Sequence, residues 1–299
     1  MQVYEMGLEE KITNLWQTLT RASSRKRLAR LLKNVVFPKT GSPLIMGTAI
    51  NYDERALTPF VTSLRRSGYA GRVVFFVQNL SDGTKQFLYS NGIETVEIPC
   101  KYKLYHIQNS RWFHYLDYLE GLIASDAKLP SHVLFTDVRD VYFQDDPFRD
   151  EVGYLEFFLE HEIPKLGECK YNSSWIRLCY GEMVLREMSN NVISCSGTTI
   201  GSTSGAIEYL LEMEQLLNSI PRQAKKKALD QGPHNYLVHS HRLRGALLAE
   251  NAGRVFTIGY TPDADIYVSS GGVILSSSGY RSPIVHQFDR HAKVLRAIQ

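Results

Sequence analysis

The chain has 299 residues, with 34 Lys and Arg against 31 Asp and Glu, a formal net charge of +3, and 43% apolar residues. That length accommodates one large α/β domain or two small ones, and so small a net charge gives no ground for a nucleic-acid partner. No apolar run of about 18 residues occurs, so a membrane-spanning helix is not expected.

The N-terminus, Met1-Gln2-Val3-Tyr4-Glu5, shows no basic segment followed by an apolar one; no secretory signal is expected, and the expected location is cytoplasmic. Cys100, Cys169, Cys179 and Cys195 form no C-x-x-C pair, so neither zinc nor a redox pair is indicated. Free thiols are expected, although Cys169 and Cys179 could bridge in an oxidising compartment.

Residues 8 to 36 carry helical spacing, with Leu8, Ile12, Leu15, Trp16 and Leu19, then Leu28, Leu31, Leu32 and Val35. Arg21, Arg25, Lys26, Arg27, Arg30 and Lys33 make this extension basic. It is expected either to pack on the domain or to lie peripherally on an anionic membrane surface, which for a cytoplasmic protein is the inner one. Pro38 to Pro43 reads as a linker, dividing an extension over 1–43 from a domain over 44–299.

Leu44 to Ile50 is the first expected strand, followed by a helix over Leu57 to Ser67. A second strand over Arg72 to Gln78, a helix over Lys85 to Asn91 and a third strand over Ile93 to Ile98 come next. This β-α-β-α-β order calls for a parallel sheet flanked by helices. Asn109 to Ser125 is a longer helix whose stripe of Trp112, Phe113, Tyr115 and Leu116 is expected in the core. Beyond it the order is less regular. Tyr154 to Leu159 reads as a strand, 160–190 has no clear assignment, and Val192 to Gly201 reads as two short strands around a small-residue turn. Ser204 to Ser219 reads as a helix, Asp230 opens another at its N-cap position, and short strands are expected over Arg254 to Gly259, Val273 to Leu275 and Pro283 to Val285.

The most informative stretch is Val133-Leu134-Phe135-Thr136-Asp137-Val138-Arg139-Asp140-Val141-Tyr142-Phe143. Its apolar run is a buried fourth strand that ends in two carboxylates. Ligands sit at the carboxyl ends of strands in open α/β sheets. Two acids there can hold a hard divalent cation, and the cation can hold phosphates. Capping a turn, or pairing with Arg139, is the plainer role for such acids.

With the preceding β-α-β-α-β half, a mixed second half and a late His, this arrangement resembles a GT-A-type glycosyltransferase over about residues 44 to 291. The likeness is to the D-x-D, family 8-like nucleotide-diphospho-sugar transferases. Their acid pair is followed by Val-x-Phe and then Asp-Pro, as in Asp140-Val141-Tyr142-Phe143 and Asp146-Pro147. The spacing departs from theirs: Asp140 matches the second acid, Val138 stands where the first would be, and Asp137 would take that role from one residue earlier.

The resemblance implies a Rossmann-like, mixed central sheet flanked by helices, here with an N-terminal helical extension. It implies Mn²⁺ or Mg²⁺ on Asp137, Asp140 and His286, a combination of carboxylates and imidazole that suits such ions. It places Arg111 on the nucleotide-sugar, where a forked guanidinium fits phosphate, together with Asp137 and the small residues Ser196 and Gly197. It puts the base at the first-strand exit, with Thr48, Ala49, Asn51 and Tyr52. Asp230-Gln231, with Asn235 beyond, resembles the family's D-Q-x-x-x-N stretch beside the sugar, which assigns Asp230 and Gln231 to catalysis. If the enzyme inverts, Asp230 is the candidate base, ahead of Glu182; if it retains, Gln231 would face the sugar.

The activity so implied is transfer of a sugar from a nucleotide-diphosphate donor, a UDP-sugar first among them, to a hydroxyl acceptor on a glycan or glycolipid, as in polysaccharide biosynthesis. Alternatives are a non-catalytic nucleotide-sugar-binding or membrane-surface scaffold protein, and a nucleotidyltransferase. Against the latter, the first-strand exit Asn51-Tyr52-Asp53-Glu54 is acidic and lacks glycine. A phosphatase of the D-x-D-x-T type is disfavoured because Arg139 and Val141 stand at its second and third positions.

Overall fold

The computed structural model describes residues 32, 35–125 and 127–298, so the expected basic helix falls almost entirely outside the described residues. Residues 38–43 carry no helix or strand, and neither do Val35 and Val36 at the end of the expected helix. Among the described residues no helix is long and apolar enough to cross a membrane.

The first half alternates as its sequence requires: β1 (Leu44–Ile50), α1 (Glu54–Arg66), β2 (Arg72–Gln78), α2 (Asp82–Ser90), β3 (Glu94–Glu97), α3 (Ile107–Ala124) and β4 (His132–Thr136). The continuous apolar runs of β1, β2 and β4 are buried on both faces, the signature of parallel strands covered by helices. Asp53 starts α1 by accepting from the Ala56 N–H at 2.9 Å, and Ser81 caps α2 through the Thr84 N–H.

The remaining elements are β5 (Val141–Phe143), β6 (Leu155–Leu159), α4 (Lys170–Tyr180), α5 (Glu182–Met188), β7 (Ser194–Ser202), α6 (Thr203–Ser219), α7 (Arg222–Lys225), α8 (Gln231–His239), β8 (Ala246–Ala249), β9 (Val255–Thr257), β10 (Ile266–Val268), β11 (Ile274–Ser276), β12 (Ile284–His286) and α9 (Ala292–Ile298). The seven-stranded central sheet runs β3-β2-β1-β4-β7-β6-β8, with β7 antiparallel to both β4 and β6 and the other pairs parallel. The molecule is thus an α/β fold with a mixed sheet. A three-stranded sheet, β5-β12-β9, stands beside the main one.

The two faces of the main sheet hold separate cores. Trp112, Tyr115, Phe135 and Tyr209 pack together on one, with Tyr115 stacked on Phe135 at 5.5 Å. Phe60, Phe75 and Phe143 meet edge-on on the other. The aromatic stripe of α3 is therefore core, and each such side chain contributes roughly 1.5–3 kcal/mol by leaving water.

Two segments differ from expectation. The region 160–190 forms α4 and α5, the first burying Ile176 and Cys179 and the second Leu185 and Met188. The expected strand-turn-strand over 192–201 is instead the single strand β7, in which Ser196 and Gly197 lie inside. The Asp137 N–H donates to the Gly197 carbonyl at 2.8 Å, pairing with β4 and β6 resumes at Thr198 and Thr199, and β-branched Thr198, Thr199 and Ile200 favour the extended form.

This topology positions one crevice. The chain leaves β1 toward β2 and β3, then returns to β4 on the other side of β1. The carboxyl ends of β1 and β4 therefore flank a point where strand order reverses, the place where open α/β sheets bind ligands.

Candidate metal and substrate site

Asp137 follows β4 directly, Asp140 precedes β5, and His286 ends β12. The antiparallel register of β12 on β5 sets His286 opposite Val141, and the Gln287 N–H donates to the Asp140 carbonyl at 2.7 Å. That pairing carries His286 to the acids. Its Nε2 lies 3.7 Å from Asp137 Oδ2 and 3.9 Å from Asp140 Oδ1, and one ligand atom from each of the three residues lies within 4.8 Å of the others.

His286 is fully buried, Asp140 is nearly so, and Asp137 stays partly exposed. Neither ring nitrogen of His286 has a hydrogen-bond partner among the described residues, an exception to the usual satisfaction of buried polar atoms. Two carboxylates and an unpartnered imidazole converging without bonds among themselves fit a divalent cation. Gly197 keeps the space open: a Cβ there would press on the His286 ring and come within 2.6 Å of Asp137 Oδ2.

Electrostatics divide the acids. Burial raises Asp137, but Arg111, followed by His286, outweighs it and holds this carboxyl well below the usual range. Asp140 is raised, mainly by burial, against the pull of His286. Burial pushes His286 down, yet Cys195, Asp137 and Asp140 around it raise it overall.

Arg111, in the second turn of α3, is buried and ties the site together. Its guanidinium reaches Asp137 Oδ1 at 2.5 Å and Asp230 Oδ2 at 2.7 Å, and donates to the Ser196 carbonyl at 3.4 Å. It also lies over the Trp112 ring, 4.6 Å from its centroid, and the Trp112 indole N–H donates to Asp230 at 3.1 Å. Asp230 occupies the N-cap position of α8 without capping it by its side chain; its carboxylate serves Arg111 and Trp112 instead.

Gln231 begins α8 and makes three polar contacts. Its Nε2 donates to Asn172 Oδ1 at 3.1 Å and Glu160 Oε1 at 3.3 Å, while its Oε1 accepts from the Cys195 thiol at 3.7 Å. Asn235 has a structural part: it exchanges hydrogen bonds with the backbone of Ser194 at 2.8 and 2.9 Å and so fastens α8 to β7. Cys169, Cys179 and Cys195 are buried free thiols, as expected of these three.

The residues expected at the base stand at the end of β1 in different surroundings. Thr48 shares a 2.7 Å hydrogen bond with the Tyr115 hydroxyl. Ala49 is buried in the core on the α1 side. Asn51 takes a left-handed backbone, φ 55, and accepts from Asn79 on the surface. Tyr52 is half-buried, and burial raises its hydroxyl pKa. A cavity of about 890 Å³ opens next to this exit, lined by Asp53, Glu54, Pro59, Arg139, Phe288 and Asp289 among others. None of the expected site residues lines it; Arg139, which bridges Asp140 and Asp289 at 3.5 and 3.2 Å, separates it from the cation cluster.

No protein-family model matches this chain, and no curated protein matches it.

The structure brings Asp137, Asp140, His286, Arg111, Ser196, Gly197 and Asp230 into one network, with Gln231 at its edge. Sequence reading missed Glu160, which is buried beside Gln231. A signal for it exists: like Asp137, it is an acid at the end of an expected strand, here after Phe157-Phe158-Leu159.

Proposed function

We propose that this protein is a metal-dependent glycosyltransferase of the GT-A type, moving a sugar from a nucleotide-diphosphate donor, with UDP-sugars first, to a hydroxyl of a glycan or glycolipid. The observation that carries this reading is the convergence of Asp137, Asp140 and His286 at the reversal of strand order between β1 and β4. A parallel β-α-β-α-β half, followed by an antiparallel strand and a late histidine, supports the same reading.

On this reading Asp137, Asp140 and His286 hold Mn²⁺ or Mg²⁺, which when bound neutralises charge developing on the diphosphate leaving group. Asp137 divides its oxygens, Oδ1 to Arg111 and Oδ2 toward His286, so Arg111 sets the angle at which this acid faces the crevice. Asp230 is engaged by Arg111 and Trp112, which makes it an orienting group and a poor base. Gln231 and the backbone of Ser196 and Gly197 line the side on which a sugar would rest. Gly197 without a side chain permits that approach.

The test is nucleotide release from a panel of UDP-, GDP- and CMP-sugars, with Mn²⁺ or with chelator. Metal-dependent release from one donor, abolished in Asp140→Ala, is the expected result. Metal-dependent UDP binding without release in the presence of any hydroxyl acceptor would favour a binding protein, and no nucleotide binding at all would overturn the reading.

A further inference from the structure

Glu160 is a buried acid beside Gln231 that the proposed cation site does not use. It is 2% exposed and follows β6, its N–H donating to the Ile193 carbonyl at 2.8 Å. No Lys, Arg or His forms an ion pair with it among the described residues, and its Oε2 has no hydrogen-bond partner. Burial pushes its carboxyl up, against the pull of His286 and Arg290 nearby, and burying a carboxylate is unfavourable unless its oxygens are satisfied. Its Oε1 accepts from Gln231 Nε2 at 3.3 Å.

A carboxamide has two unlike ends, an acceptor oxygen and an NH₂ with two donors. At Gln231 both donors meet acceptors, Glu160 Oε1 and Asn172 Oδ1. Asn172 is itself fixed, because its Nδ2 donates to Cys169 Sγ at 3.2 Å, and that sulfur contacts the Tyr260 hydroxyl at 3.2 Å. In this arrangement Asn172 presents its oxygen to Gln231. Turning the Gln231 amide over would set its oxygen against two acceptors. The remaining end, Oε1, looks toward Cys195, the residue before Ser196 and Gly197 in β7.

We propose that Glu160 and Asn172 are positioning residues that lock the Gln231 carboxamide with its oxygen toward the β7 side of the site and its NH₂ turned away. Its functional consequence rests on the glycosyltransferase reading; the geometry does not. An oxygen there accepts from a sugar hydroxyl and faces positive charge developing on the sugar favourably, whereas an NH₂ would oppose that charge. Glutamate is the side chain suited to the task. A glutamine at 160 could offer its own NH₂ and let Gln231 turn over, so Glu160→Gln discriminates although it preserves shape.

The experiment uses the full chain in two arms. In the first, the side-chain amide protons of Gln231 are followed by NMR in ¹⁵N-labelled protein and assigned by their loss in Gln231→Glu. The expected pair is well dispersed and slow to exchange in the wild type. It shifts and exchanges at least about tenfold faster in Glu160→Gln and in Asn172→Leu, and is retained in Asn172→Asp, which keeps the acceptor. An unchanged pair in both Glu160→Gln and Asn172→Leu overturns the proposal. Matching thermal midpoints for wild type and Glu160→Gln establish that the variant is folded.

In the second arm, with the donor found in the panel and Mn²⁺, Glu160→Gln is expected to lower kcat at least about tenfold while leaving KM for the donor within about threefold. A rise in KM with kcat intact would contradict the assigned orientation. If the wild type turns over no donor, the glycosyltransferase reading fails, and the amide arm still decides the positioning of Gln231.

Discussion

Arg111 meets Asp137 at 2.5 Å, so the acid nearest the crevice is braced by a guanidinium that is itself buried. The bond uses Asp137 Oδ1 and leaves Oδ2 pointing to His286. Since the same guanidinium holds Asp230 at 2.7 Å, α3, the β4 exit and the start of α8 are joined through one side chain.

Removing that side chain should be felt in stability as well as in the site. Arg111→Met leaves Asp230 buried without its cation, a loss of about 3–5 kcal/mol measured by urea unfolding. Adding Asp230→Asn to Arg111→Met should restore part of it, because the stranded charge is gone. Arg111→Lys keeps the charge but cannot fork to two carboxylates and should fall between. Wild-type stability in Arg111→Met would show that the bridge has no net worth.

Gly197→Ala tests the space beside the cation cluster. The added methyl would meet the His286 ring and Asp137 Oδ2, two of the three candidate ligands. Mn²⁺ affinity should drop at least about tenfold, as when groups that orient metal ligands are altered. The strand itself should survive, since Ala is tolerated within a sheet. Equal Mn²⁺ affinity in calorimetry would place the cation elsewhere.

The legibility of this chain follows its physics. The runs Leu44 to Met46, Val73 to Val77 and Val133 to Phe135 are apolar without a break, and such strands announce themselves. The acids after Phe135 and the late His286 were found for the same reason, since they stand at strand ends. Ser196 and Gly197 misled because small residues usually mark turns, and here they are extended to admit His286 and Asp137. The pairing of Arg111 with Asp230 joins residues far apart in sequence, and no local pattern encodes it. The part of Glu160 is not legible locally because it depends on Gln231, which the packing of α8 on β7 brings to it.

His234 should give the fold an acid-sensitive component. It is fully buried, with Tyr209 Oη 2.8 Å from Nδ1 and Ser194 Oγ 3.0 Å from Nε2. Burial, helped by His239 and Arg111, pushes it from 6.5 down to about 3. The unfolded chain takes up a proton that the folded one refuses. The stability involved is therefore complete above about 6.5 and is lost as pH falls toward about 3, on the order of 4 kcal/mol in all. His234→Gln should lose less stability than wild type between those limits, as read from urea midpoints across pH. Parallel profiles would contradict a neutral buried imidazole.

The three-residue cation site, on which the proposed function rests, is tested most directly by Mn²⁺ binding, measured by electron paramagnetic resonance with UDP present. The wild type should bind one Mn²⁺ per chain, and both Asp140→Asn and His286→Ala should weaken it at least about tenfold while unfolding at the wild-type temperature. Wild-type affinity in both variants, or no bound Mn²⁺ in the wild type, would contradict a cation held by Asp137, Asp140 and His286.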